Sequence, residues 1–164
     1  MKKKEGIDRK IFRFSPPYNV MIFTRKVEGF DPKFEIVGVF CEHEGKILLL
    51  HRNDNKPQGN TWGVPAGKVE DGEDITHAIL RELEQETGIS IDPDQLKYFT
   101  KLYVRYPEYD FVYHIFHLRL NKPQNIKINS NEHKGFVWIE PRNALKLNLI
   151  GDLGKCIKLF YGLK

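Results

Sequence analysis

The chain predicts an α/β fold, a mixed sheet with helices covering its faces. Three observations carry this prediction. Apolar runs of strand length stand on both sides of one clear amphipathic helix, and a second helical stretch closes the chain. The length of 164 residues suits a single domain with a real core. The composition, 40% hydrophobic and 29% charged, is that of a globular protein and excludes a disordered one.

The elements follow in order. Ser15-Pro16-Pro17 cannot continue a helix or a central strand. Tyr18 to Thr24 reads as a strand at a sheet edge, and Gly29-Phe30-Asp31-Pro32 as a turn or linker. The body is expected to begin at Glu35, giving a basic arm over 1–34 and a domain over 35–164. Ile36 to Cys41 and Ile47 to Leu50 flank His43-Glu44-Gly45, the pattern of a hairpin. Asn53 to Asn60 is loop-like. Trp62-Gly63-Val64-Pro65 is extended, because Pro65 disfavours helix in the residue before it. The clearest helix spans Ile75 to Thr87, with Asp74 as N-cap and Gly88 just past its end. Leu96 to Val104, Phe111 to Leu120 and Phe136 to Ile139 read as strands. Asn143 to Leu147 and Leu153 to Tyr161 read as helices.

No apolar run approaches the about 18 residues a membrane helix needs, and no secretory h-region follows the basic start. Cys41 and Cys156 lie far apart without metal-ligand spacing, which fits a reducing cytoplasm. The net charge is +4, a value that points to polyanions. Its distribution changes that reading. Residues 1–34 carry nine bases and four acids, a net of +5, which leaves −1 for the rest. No RNP-like motif or zinc spacing supports nucleic-acid binding. The edge strand of the arm could equally pair with a second copy in a homodimer.

Residues 67–89 hold seven acids and two bases, a net of −5. On a helical wheel Thr76, Ile79, Leu80 and Leu83 share the side that faces a core. Glu82, Gln85 and Glu86 share the adjacent stripe. Like charges at these spacings destabilise a helix by a few tenths of a kcal/mol per pair. Most acidic stripes are solvated surfaces, but here Gly63, Gly67 and Gly72 lie in the loop feeding the helix. Glycines let the backbone turn tightly and expose its carbonyls. Carboxylates with a free carbonyl make a hard oxygen site suited to Mg²⁺ or Mn²⁺, through which an anionic substrate can be held.

The pattern Gly67-x5-Glu73-x7-Arg81-Glu82-Leu83-x-Gln85-Glu86-x-Gly88-Ile89 resembles the box of the Nudix (MutT-like) hydrolases, matching every defined position but one. The lead-in Trp62 to Glu70 is also similar to that family, and the resemblance covers roughly Ile36 to Leu147. It implies an α/β/α sandwich with a mixed sheet and the box as a loop–helix–loop metal site. It implies Mg²⁺-dependent hydrolysis of the pyrophosphate link in a nucleoside diphosphate joined to some group X, such as a nucleoside triphosphate. Glu82, Gln85 and Glu86 would be the helix ligands, and the Ala66 carbonyl a further one. Glu82 would also orient or deprotonate the attacking water. Arg81 and Glu73 would hold helix and loop together, with Gly67 and Gly88 structural. Bound metal would offset phosphoryl charge and activate the water.

Two positions depart from the family. Gln85 stands for the usual Glu, and its amide oxygen coordinates without charge, so weaker metal binding, a changed metal count or, at the extreme, loss of activity is expected. Ala66 stands for a frequent Gly, which is harmless unless the backbone there needs a positive φ. Outside the box, the resemblance places Glu132, ahead of the strand with Trp138, as a base and Arg52 as a phosphate contact. One of Tyr103, Tyr106 or Tyr113 is expected to stack on a nucleobase, and Tyr106 lies near where some family members carry a substrate-binding Tyr. Trp62 reads as packing. His114 and His117 would face opposite sides of a strand and make a poor metal pair. The alternative to an enzyme, motivated by Gln85, is a catalytically weak domain that binds a nucleotide as a sensor or partner module.

Overall fold

The computed structural model describes residues 19–164. The sequence readings that fall on residues 1–18, most of the basic arm, lie outside the described residues. The elements are β1 (Met21–Phe23), β2 (Pro32–His43), β3 (Lys46–Arg52), β4 (Trp62–Gly63), β5 (Ala66–Lys68), α1 (Ile75–Thr87), β6 (Leu96–Arg105), β7 (Asp110–Arg119), β8 (His133–Ile139), α2 (Pro141–Ala144) and α3 (Leu153–Tyr161). A single 3-10 turn, Pro93–Gln95, precedes β6.

One sheet runs β1-β6-β7-β2-β3-β4, with β5 also pairing β2 and β8 also pairing β3. It is mixed, because β2 and β7 are parallel while the other pairs are antiparallel. The β2–β3 hairpin turns at Glu44 and Gly45, both at positive φ, as a tight hairpin turn requires. β1 closes one end of the sheet by pairing Met21 with Arg105 and Phe23 with Tyr103.

Period-two alternation splits the core across the sheet. Val37, Val39 and Cys41 of β2 and Leu48 and Leu50 of β3 pack against Ala78, Ile79 and Leu83 of α1. Phe40, Ile47 and Leu49 point the other way, to Leu153, Cys156 and Ile157 of α3. The result is a helix layer on each face, the expected α/β/α sandwich. Each fully buried aliphatic side chain on these faces contributes about 1.5–3 kcal/mol. Both cysteines are buried free thiols. Among the described residues no helix is long and apolar enough to cross a membrane.

Several boundaries differ from the sequence reading, three element starts among them. β2 starts at Pro32, because the chain straightens directly after the turn at Gly29, whose φ is 71°. β8 starts at His133, three residues early, through pairing of His133 with Arg52 and Gly135 with His51. α2 starts at Pro141, because proline suits the first helical position.

Candidate active site

The site is assembled where β5 feeds the loop before α1. Asp74 caps α1 by accepting from the backbone N–H groups of Thr76 and His77 (2.9 and 3.3 Å). Gly88 ends the helix at φ 75°, its N–H donating to the carbonyl of Glu84. The two caps fix the rotation of α1. Ile79 and Leu83 then go into the core, and the stripe of Glu82, Gln85 and Glu86 lies beside β5.

Arg81 is the hub of the box. Its guanidinium grips Glu73 with two hydrogen bonds, Nε to Oε2 (2.8 Å) and Nη2 to Oε1 (2.9 Å). It also donates to Glu82 Oε1 (2.6 Å) and to the carbonyl of Lys68 (3.1 Å). One planar side chain thus joins loop, helix and strand, the geometry for which arginine is suited. Glu73 further accepts from the backbone N–H of Glu70 (3.1 Å). The Arg81 hydrogen bonds hold its carboxyl down to about 2.

Glu82 and Glu86 have the opposite environment. Burial raises the pKa of Glu82 above the ordinary carboxylate range. Glu86 is raised further, first by desolvation and then by the charge of Glu82. Glu86 accepts from the backbone N–H of Ala66 (3.1 Å), which brings the residue of the expected carbonyl ligand beside this acid. Ala66 is not among the residues at positive φ, so alanine replaces glycine there without strain. Gly67 is essential for space. A Cβ on it would lie 2.1 Å from Cδ of Glu82, so the carboxyl occupies the place a side chain would take.

Among the described residues no three His, Cys, Asp or Glu side chains form a metal site by themselves. Gln85, on the same stripe as Glu82 and Glu86, is exposed, with Arg81 Nη1 at 3.4 Å from its amide oxygen. The remaining donors fit a hard divalent cation. They are all oxygens, two of them on desolvated carboxylates, one held by Arg81 and the other by the Ala66 N–H.

A cavity of about 290 Å³ opens beside these groups. Ala66, Gly67 and Glu86 line one part of it, and Ile36, Tyr109 and Tyr113 form an apolar wall. Arg52 lines it too, with Nε donating to the Pro57 carbonyl (2.6 Å). The charges of Arg52 and Glu132 both reach Glu86, Arg52 lowering and Glu132 raising its pKa. Glu132 is held by Lys56, Nζ to Oε1 3.0 Å, and its carbonyl accepts from the Asn53 N–H (3.0 Å).

Glu73, Arg81, Glu82, Glu86, Ala66 and Gly67 are therefore gathered around one strand–helix junction, with Arg52 and Glu132 nearby. Gly88 lies at the far end of α1 as its cap. Tyr106 is buried and donates to Asp152 Oδ1 (2.8 Å). It stacks on Tyr109, with ring centroids 5.3 Å apart, and Tyr109 rather than Tyr106 lines the cavity. Trp62 stacks on His51 at 4.2 Å. His114 and His117 have separate carboxylate partners, Glu35 at 2.6 Å and Glu42 at 3.0 Å. Sequence reasoning passed over Lys56, Gln58, His133 and Asp152. Only Asp152, directly before the α3 pattern, carries a local signal, that of an N-cap.

A basic residue beside a cavity, acids clamped on a helix and a glycine kept bare for one of them make a chemistry suited to a divalent cation and an anionic substrate. The chain belongs to the Nudix family: the NUDIX domain model matches residues 32–160. It is accordingly a Nudix pyrophosphohydrolase. It is 31% identical over 117 residues to the CTP pyrophosphohydrolase of Escherichia coli (strain K12), covering 70% of this chain and 82% of that one. It is 37% identical over 54 residues to the 8-oxo-dGTP diphosphatase of Proteus vulgaris, covering 33% of this chain and 48% of that one. Among solved structures, the MutT protein from Methanosarcina mazei Go1 has the same fold. Its TM-score is 0.64 at 24% identity, over 82% of this chain and 96% of that one.

Proposed function

We propose that this protein hydrolyses the pyrophosphate link of a nucleoside triphosphate or a related nucleoside diphosphate derivative, with Mg²⁺ as cofactor and Mn²⁺ as a substitute. The observation that carries the reading is the Arg81-clamped Glu82 on the same helix stripe as Glu86, with Glu86 and Ala66 lining a cavity of about 290 Å³. The name of the E. coli relative, a CTP pyrophosphohydrolase, supports a nucleoside triphosphate as substrate class.

Each residue has a role in this reading. Glu82, Glu86, the Gln85 amide oxygen and the Ala66 carbonyl hold the cation, which when bound neutralises phosphoryl charge and acidifies water. Glu82, kept in place by Arg81, orients the water and takes its proton. Glu132 is a second basic group close by, and Lys56 fixes its carboxylate. Arg52 contacts the phosphates from β3. The nucleoside lies against Tyr109 and Tyr113, with Tyr106 supporting Tyr109 from behind.

The test is release of phosphate or pyrophosphate from a panel of nucleotides with Mg²⁺ or Mn²⁺. Turnover of a nucleoside triphosphate, lost in Glu82→Gln, is expected. No turnover of any panel member would overturn the reading.

A further inference from the structure

His133 opens β8 and lines the same cavity. Its residue is 6% exposed. Among the described residues, its Nδ1 is the one buried side-chain nitrogen or oxygen without a hydrogen-bond partner. The backbone around it is fully engaged. Its N–H donates to the Asn129 carbonyl (2.9 Å), and the residue pairs with Arg52 across the sheet. The ring is thus carried on a fixed frame while one of its nitrogens is left unsatisfied.

The neighbouring polar groups differ. Both ends of the Gln58 amide are used, Nε2 toward the Tyr106 hydroxyl (3.3 Å) and Oε1 by the Gly151 N–H (2.9 Å). Thr61 donates to the Gln58 carbonyl (2.6 Å), and Asp152 accepts from Tyr106 (2.8 Å). A buried polar atom without a partner is rare in folded proteins and calls for a specific explanation, here the cavity that the residue lines. A site with an unpaired polar group also discriminates between ligands that satisfy it and ligands that do not.

We infer that His133 is a specificity-determining residue whose Nδ1 is satisfied by a hydrogen bond with the nucleoside part of the substrate, not with its phosphates. This rests on the nucleotide reading of the cavity. A polar atom of the base and a sugar hydroxyl share the required chemistry, and paired ribose and deoxyribose ligands distinguish them.

The experiment uses the whole chain with ¹⁵N-labelled histidine and Mg²⁺. It is titrated with the ribo- and 2′-deoxyribonucleoside monophosphates of each base, and separately with inorganic pyrophosphate. The expected result is a shift of the His133 Nδ1 resonance with at least one nucleotide and none with pyrophosphate. A response lost on 2′-deoxygenation identifies the sugar, and one that depends on the base identifies the base. In kinetics, His133→Leu should lower kcat/KM for the preferred nucleotide by about tenfold or more and flatten the preference among bases or sugars. His133→Asn, which keeps a hydrogen-bonding group, should recover part of it. If calorimetry shows that nucleotides bind but Nδ1 is left unmoved, or if His133→Leu preserves every preference, the inference is overturned and the functional reading stands. If no nucleotide binds or reacts, both fall.

Discussion

A methyl group on Gly67 would overlap the carboxyl of Glu82, whose oxygens lie 2.2 and 2.5 Å from where it would sit. Glu82 is already gripped by Arg81 on its other side, so it cannot move away without breaking that bond. Gly67→Ala should therefore leave the fold intact and misplace the acid, lowering kcat about 100-fold. Steady-state kinetics and circular dichroism together check this, and an alanine variant with normal kcat would show that the close approach is unimportant. Gln85 makes the converse prediction. It is exposed at the rim of the stripe, where a carboxylate would add charge without disturbing the core. Gln85→Glu should reduce the Mg²⁺ concentration for half-maximal activity, on the order of tenfold after screening by solvent. A Mg²⁺ titration of activity reads this directly, and an unchanged or higher requirement would argue against Gln85 facing the cation. Much of this was legible at the level of single letters, because the box fixes its residues at set spacings on one helix. Lys56 and His133 were not. They reach the site from a loop and from the start of a strand, and nothing in their local sequence marks where those segments meet.

Among the elements, α1 was readable to the residue. Its start and stop are chemical, an aspartate accepting two backbone N–H groups and a glycine at φ 75°, and both are visible as letters. Asp74→Ala should cost about 1 kcal/mol, a fall in Tm of about 2–4 °C. Thermal unfolding measures it, and no change in Tm would mean that the cap is not in place. The β6–β7 hairpin is held differently. Arg105 donates to both carboxylate oxygens of Asp110 (2.7 and 2.9 Å), and Asp31 N–H adds a third bond (2.9 Å). These hold the Asp110 carboxyl below its ordinary range, with the Arg105 hydrogen bonds the largest cause. The folded form therefore binds this proton less readily than the unfolded chain. The stabilisation is complete above the ordinary carboxylate range, about pH 4, and is lost as pH falls through the lowered folded value. The Tm gap between wild type and Asp110→Asn should be widest near neutrality and close on acidification. A gap independent of pH would contradict the pairing. The starts of β2, β8 and α2 were less legible, since strand ends depend on the partner strand and not on local composition.

Across the whole molecule, the sheet serves as a partition. Alternate residues of β2 and β3 feed two cores, and α1 with its acids is secured to one face while α3 closes the other. The net charge of the chain conceals this arrangement, because the −5 segment at 67–89 is offset by a basic arm that begins outside the described residues. Fold class and the box were legible because they depend on periodicity and spacing. The cavity was not. Its walls come from β2, β3, β7, β8 and the loop before α3, segments brought together only by folding. The claim that joins fold to chemistry is that the acids on α1 drive hydrolysis of a nucleotide at that cavity. The most direct measurement is ³¹P NMR of nucleoside triphosphates incubated with Mg²⁺ and either wild type or Glu82→Gln. Wild type should convert at least one triphosphate to its phosphate products, and Glu82→Gln, folded and equally stable, should be slower by at least about 100-fold. Equal rates for the two proteins would contradict the account.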